Sequence, residues 1–160
     1  MVWPRIRFHG SEEQKDHLVR GIVAGRAGFA IGYTEPNTGS DLASLTTRAV
    51  RDGDDYVLNG SKIWTTQANF AKYMILLART NPDAPNKYAG LSFFLCPMKI
   101  TGIETTRIRK LTGEYGFCQT FFTDAHISAE TLLGGEGNGW KMAMRTLEYE
   151  RGARSAPGKL

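Results

Sequence analysis

Long apolar runs, cysteine and histidine are all scarce in this chain of 160 residues. No apolar stretch approaches the ~20 residues that a membrane-spanning helix needs. The opening residues, MVWPRIRFHGSEEQKDHL, lack the apolar core of a secretory signal. The two cysteines, Cys96 and Cys118, make neither a metal spacing nor a disulfide framework. Their surroundings, SFFLCP and GFCQTFF, are apolar and strand-like, so they read as buried free thiols, which suits a reducing compartment. His9, His17 and His126 are isolated from one another, and no metal site is expected. There is no block of like charge that would serve as a nucleic-acid arm, and 20 basic against 16 acidic residues leave a mild excess of +4. No G-x-S-x-G, P-loop or dinucleotide-binding fingerprint occurs. The expectation is a soluble, cytoplasmic protein with no nucleic-acid partner and no membrane span.

What remains is ordinary globular composition, 41% hydrophobic and 22% charged. The spacing predicts a helix over 11–24. Ser11 stands as N-cap with Gln14 at the capping-box position, Leu18 and Ile22 share a face, and Gly25 is a stop. From residue 28 to 128 the texture is short apolar runs between turn formers. LTTRAVRDGDDYVLNGSKIWTT reads as three strands parted by Asp52-Gly53 and Asn59-Gly60, and KYMILLART, LSFFLCPM, GIETTRIRKL and CQTFFTDAHIS as further strands. A mainly β fold of about seven or eight strands follows, an antiparallel sandwich or barrel-like domain between two helices. The second helix begins near Gly139 after the glycine-rich GGEGNG. Its Trp140, Met144, Leu147 and Arg151 recur at helical spacing, an apolar stripe with no helical partner besides the short first helix. The expected division is 1–26 as the end of an N-terminal helical region, 27–135 as the β domain and 136–160 as the first helix of a C-terminal helical region.

Three stretches have residue types that can do chemistry. In TEPNTGSD (34–41), Glu35-Pro36 breaks a strand and Gly39 lets the backbone turn or approach a ligand. Ser40 or Asp41 can start a helical turn, whose free N–H groups would suit a phosphate. The stretch is either a capped surface loop or one side of a ligand site. In GSKIWTT (60–66), strict alternation puts Trp64 and Thr66 on one face and Ile63 and Thr65 on the other. Trp64 is then either a core residue or an aromatic wall beside a hydroxyl. In TLEYERG (146–152), Glu148 and Arg151 are three apart on a helix and can pair, while Glu150 points elsewhere. A carboxylate there is either solvated or, if buried against a ligand, a base.

Taken in order, GYTEPNTGSDLASL, LNGSKIWTT, LLART, GWKMAM and ERG resemble the acyl-CoA dehydrogenase family of flavoproteins. The TEP-x-x-GSD and K-x-W-T/I-T stretches are similar to that family's flavin signatures. The resemblance implies an oxidoreductase with FAD as cofactor and an acyl-CoA thioester as substrate, oxidised to a trans-2-enoyl-CoA. It implies that Ile31, Gly32, Tyr33 and Thr34 lie along the flavin, with Gly39 and Ser40 near its pyrophosphate. Trp64, Thr65 and Thr66 would form a second wall, Thr66 near the reactive N5. Ser40, Glu148 and Arg151 would face the acyl-CoA, and Glu150 falls where a subset of members carries the catalytic base. An electron-transfer flavoprotein is the implied acceptor; an oxidase-type relative would use oxygen instead. Members are homo-oligomers with helical domains on both sides of the β domain. This chain is therefore expected to be a fragment or truncated relative, with a non-catalytic β module as the competing reading.

Overall fold

The fold was analysed in a computed structural model, which describes residue 6 and residues 10–150; the side chains of residues 13, 17, 149 and 150 lie outside that description. Helix α1 spans Glu12–Val23 and helix α2 spans Gly139–Glu150. Between them run eight strands: β1 (Phe29–Gly32), β2 (Arg48–Asp52), β3 (Asp55–Thr66), β4 (Tyr73–Arg79), β5 (Leu91–Pro97), β6 (Ile103–Arg109), β7 (Tyr115–Ser128) and β8 (Leu132–Leu133). α1 starts where its cap chemistry says it should. The Gln14 amide donates to the Ser11 hydroxyl, and the Ser11 amide donates to the Gln14 side chain. Each end thus satisfies a backbone donor that the first turn leaves open.

The strands form one sheet in the order β6-β7-β3-β2-β4-β5-β8, with β1 joined to β4 beside this path. Most pairs are antiparallel, but β1 runs parallel to β4 and β2 meets β4 in parallel through Arg48 and Arg79. The sheet is therefore mixed. Among the described residues no pairing joins β6 to β8, so it is not a closed barrel.

β4 and β5 explain how the sheet holds two layers. Both are buried on each face, so they read as continuous apolar runs. Their alternate side chains separate into two cores. Met74, Leu76, Ala78, Phe94 and Cys96 face Tyr56, Leu58, Phe122, Ala125 and Ile127, where the sheet folds over itself. Ile75, Leu77, Leu91, Phe93 and Leu95 face Leu18 of α1 and Met142 and Ala143 of α2. Each such aliphatic or aromatic side chain contributes about 1.5–3 kcal/mol of burial. α2 thus packs on the sheet through Met142 and Ala143, and the expected stripe residues Trp140, Met144 and Leu147 lie half-buried beside that contact. Close contact is possible because α2 begins at Gly139, where a Cβ would lie 2.6–2.7 Å from the Leu91–Ser92 backbone. The Ser92 hydroxyl also accepts the Gly137 amide.

One turn reading fails. Asp52-Gly53 does lie in the β2–β3 hairpin, but Asn59-Gly60 sits inside β3 as an irregularity in its pairing with β7. Gly60 has φ 142°, and a Cβ there would meet Thr47 at 2.7 Å. Asn59 exchanges hydrogen bonds with Asp124 across the ladder instead of turning the chain. The glycine is needed for close approach, which the dipeptide signal alone does not separate from a hairpin.

Candidate functional site

β1 runs into the TEPNTGSD loop at one edge of the β3 strand. Gly32 and Tyr33 are buried, Ile31 and Thr34 half-buried. The Tyr33 ring meets Phe93 edge-on at 6.2 Å. Glu35 and Thr38 then exchange backbone hydrogen bonds at 3.0 and 3.1 Å, closing a turn with Pro36 and Asn37 at its exposed tip. Gly39 and Ser40 follow, both exposed, and a Cβ on Gly39 would meet nothing within 4 Å. A short 3₁₀ turn, Leu42–Ser44, comes next. Asp41 does not cap it through a backbone N–H. Its carboxylate accepts from the Ser44 hydroxyl and from Lys87, and the Lys87 and Ser44 bonds hold it below the usual carboxylate range.

A backbone bond ties the second stretch to the first: the Ile63 N–H donates to the Thr34 carbonyl at 2.9 Å. One residue later β3 breaks its regular pairing. Trp64 has φ 60°, a left-handed conformation that a bulky residue rarely takes, and its side chain is 55% exposed. The ring leans edge-on against Phe117 at 6.1 Å. Because of this irregularity, Lys62 and Thr65, three apart, are both fully buried, and strict alternation does not hold across the bulge. Thr66 is exposed. The Thr65 hydroxyl is engaged inside, with the Cys118 carbonyl at 2.8 Å and Thr120 at 3.2 Å. Thr65 as a whole is buried, with its carbonyl accepting from the Ala68 amide.

Two residues of this region have roles that the sequence reading missed. The Glu35 carboxylate is buried and accepts four bonds: from the Thr46 amide at 2.7 Å, the Thr46 hydroxyl at 2.9 Å, the Thr47 amide at 2.8 Å and Lys62 at 2.9 Å. The Lys62 ammonium also donates to the Tyr33 carbonyl at 3.1 Å. Burial pushes the Glu35 carboxyl up, but the Lys62 charge and the threonine bonds outweigh it and bring it to about 2. For Lys62 burial wins over Glu35 and brings it down to about 8. The signal was present in part. Tyr56, Leu58 and Lys62 fall on one alternating face of β3, and the first two are core residues.

Of the remaining expected site residues, Glu148 lies exposed on α2. The Glu150 side chain and the whole of Arg151 lie outside the described residues. Both cysteines are buried and free; burial drives the Cys96 thiol up to about 12, and the Cys118 thiol donates to the Asn69 side-chain Oδ1. Among the described residues no cluster of His, Cys, Asp or Glu could hold a metal ion, and no helix is long and apolar enough to cross a membrane.

A strained, exposed tryptophan and a small-residue polar loop are thus tied together on a mixed sheet between two helices. Residues 30–125 match the family described as acyl-CoA dehydrogenase, middle domain, and the chain belongs to that family. It is 43% identical over 150 residues to the acyl-CoA dehydrogenase FadE29 of Mycobacterium tuberculosis (strain ATCC 25618 / H37Rv), covering 94% of this chain and 38% of that protein. Among solved structures, the Tcur3481-Tcur3483 steroid ACAD superposes with a TM-score of 0.89 at 43% identity, covering 94% of this chain and 38% of that one. The acyl-CoA dehydrogenase from Geobacillus kaustophilus superposes with a TM-score of 0.90 at 35% identity, covering 94% and 40%. The chain thus spans about two fifths of the length of these relatives.

Proposed function

We propose that this chain supplies two walls of the FAD cleft, Tyr33–Thr34 and Trp64–Thr66, in an enzyme that dehydrogenates acyl-CoA thioesters to trans-2-enoyl-CoA. The observation that carries this reading is the strained Trp64, held open to solvent and bonded through Ile63 to the Thr34 loop. Backbone strain in a bulky residue persists where its surroundings over-determine it, and such sites cluster where ligands are held. The residues fit a flavin. An exposed indole face suits a flat, conjugated ring. Thr34 and Thr66 supply hydroxyls beside it, and the open backbone at Gly39 and Ser40 leaves room and donors for a pyrophosphate.

In this reading, bound FAD supplies the acceptor for a hydride from the acyl β-carbon. The chain's own residues bind and orient. Tyr33 and Thr34 would hold one side of the ring, and Trp64 and Thr66 the other. Thr65, buried, would support this wall from inside, its hydroxyl held by the Cys118 carbonyl. Ser40, Glu148 and Arg151 would lie along the acyl-CoA, and Glu150 would remove the α proton. The proposed division is a β domain over 27–135 with helical segments over 1–26 and 136–160. Completion of the cleft by helical domains, as a homo-oligomer that passes electrons to an electron-transfer flavoprotein, belongs to the same proposal.

The test is a titration of FAD into the protein, alone and with the helical domains of a relative supplied. Bound-flavin absorbance and quenched Trp64 emission are expected once the helical domains are present. No bound flavin under that condition refutes the reading.

A further inference from the structure

The Glu35–Lys62 pair lies directly behind both stretches of the cleft, and the proposed reaction uses neither side chain. Lys62 holds the Tyr33 carbonyl and the Glu35 carboxylate, and the next residue, Ile63, holds the Thr34 carbonyl. Three consecutive residues of the loop are therefore fastened by two consecutive residues of β3. On its other side Glu35 is pinned by Thr46 and Thr47, the segment that enters β2. A buried ion pair is weak evidence for stability, because desolvation opposes the attraction; fixing one register is its best-attested use. What is fixed here is the spacing between two cleft walls, at the point where β3 departs from its ladder. Lys62 and Thr65 are the buried residues on either side of the strained Trp64, and both are hydrogen-bonded.

We infer that Glu35 and Lys62 are positioning residues that hold the two walls of the flavin cleft, Tyr33–Thr34 and Trp64, at a fixed separation, so that the flavin meets a preformed site. This inference rests on the flavin reading of the cleft. Neither side chain touches the cofactor; each acts through the backbone it holds.

The experiment compares Glu35→Gln, Lys62→Met and the double variant in the flavin-loaded protein, with Phe94→Leu as a control. Phe94 lies in the sheet core against Tyr56, at 5.0 Å between ring centroids. FAD affinity, the visible circular dichroism of bound flavin and the exchange rate of the Ile63 amide are measured. Each single variant is expected to weaken FAD binding about tenfold or more, alter the flavin dichroism and speed Ile63 exchange. The double variant, which leaves no unpaired charge, is expected to lose no more than the worse single. It carries the same readouts if a single variant fails to fold. The control is expected to lose stability without moving the dichroism. Variants that bind FAD with unchanged affinity and dichroism overturn the inference, as does a control that shifts the dichroism equally. If the wild-type protein binds no FAD even with the helical domains of a relative supplied, the flavin reading falls. Ile63 exchange then decides the clamp separately: faster exchange in the single variants supports it, unchanged exchange overturns it.

Discussion

Replacing Glu35 by Gln keeps the side-chain shape and removes one charge from the buried pair, so its cost and pH dependence follow from the two groups. The Glu35 carboxyl is held at about 2 in the folded chain against an ordinary 4.5. Because its folded value is depressed, ionised Glu35 contributes stability above pH 4.5, lost as pH falls through 2. At about 1.36 kcal/mol per unit, this amounts to about 3 kcal/mol near neutrality. That is the expected loss in Glu35→Gln at pH 5–6. Lys62 sharpens the test. Its folded value, about 8, also lies below the ordinary 10.5, so in the wild-type protein the unfolded chain holds that proton more tightly and stability from this group rises between pH 8 and 10.5. Without Glu35 its attraction is gone, and Lys62 loses its proton at a lower pH still. The variant therefore recovers stability earlier, by about 1.4 kcal/mol per unit as pH rises toward 8. The difference between the two proteins should peak near pH 5–6 and shrink on both sides. Urea unfolding of both at pH 2.5 to 8.5 measures it. A difference that is flat with pH, or below about 1 kcal/mol at its maximum, refutes the argument that the pair is linked to folding.

Three further outcomes are expected. Gly60→Ala, which places a Cβ 2.7 Å from Thr47 at φ 142°, should cost about 2–3 kcal/mol by denaturant titration, and a loss under about 0.5 kcal/mol would mean the bulge relaxes freely. Cys96, fully buried with its thiol pushed up to about 12, should resist thiol reagents at pH 8 in the native protein and react only on unfolding; rapid native labelling would contradict its burial. Glu150→Gln in the flavin-loaded protein should abolish exchange of the acyl-CoA α proton while leaving FAD absorbance in place, and unchanged exchange removes Glu150 from the mechanism.

Much of the fold was legible because its signals are local. The Ser11–Gln14 capping box, Gly25 at φ 67° and the apolar runs of β4 and β5 depend only on neighbours in sequence. Pairing direction is not local. β1 joins β4 in parallel after a long connection, and nothing in FAIG states that. Nor did Asn59-Gly60 announce a bulge. The same dipeptide turns a hairpin when strands pair across it, and here the partner is β7, where Leu58 pairs with Ala125, 67 positions on.

The sequence by itself determined the elements, the family and the two stretches, TEPNTGSD and KIWTT, that bear on the cleft, since each is a matter of residue type in a fixed order. Only the tertiary structure decided what Glu35 and Lys62 do. They are 27 positions apart, and each looks like an ordinary surface charge until the loop and β3 meet. Burial then makes each charge depend on the other, because a lone ion there would be far too costly to keep. The fold brings them to 2.9 Å and spends the bond on holding the loop against the strand beside Trp64.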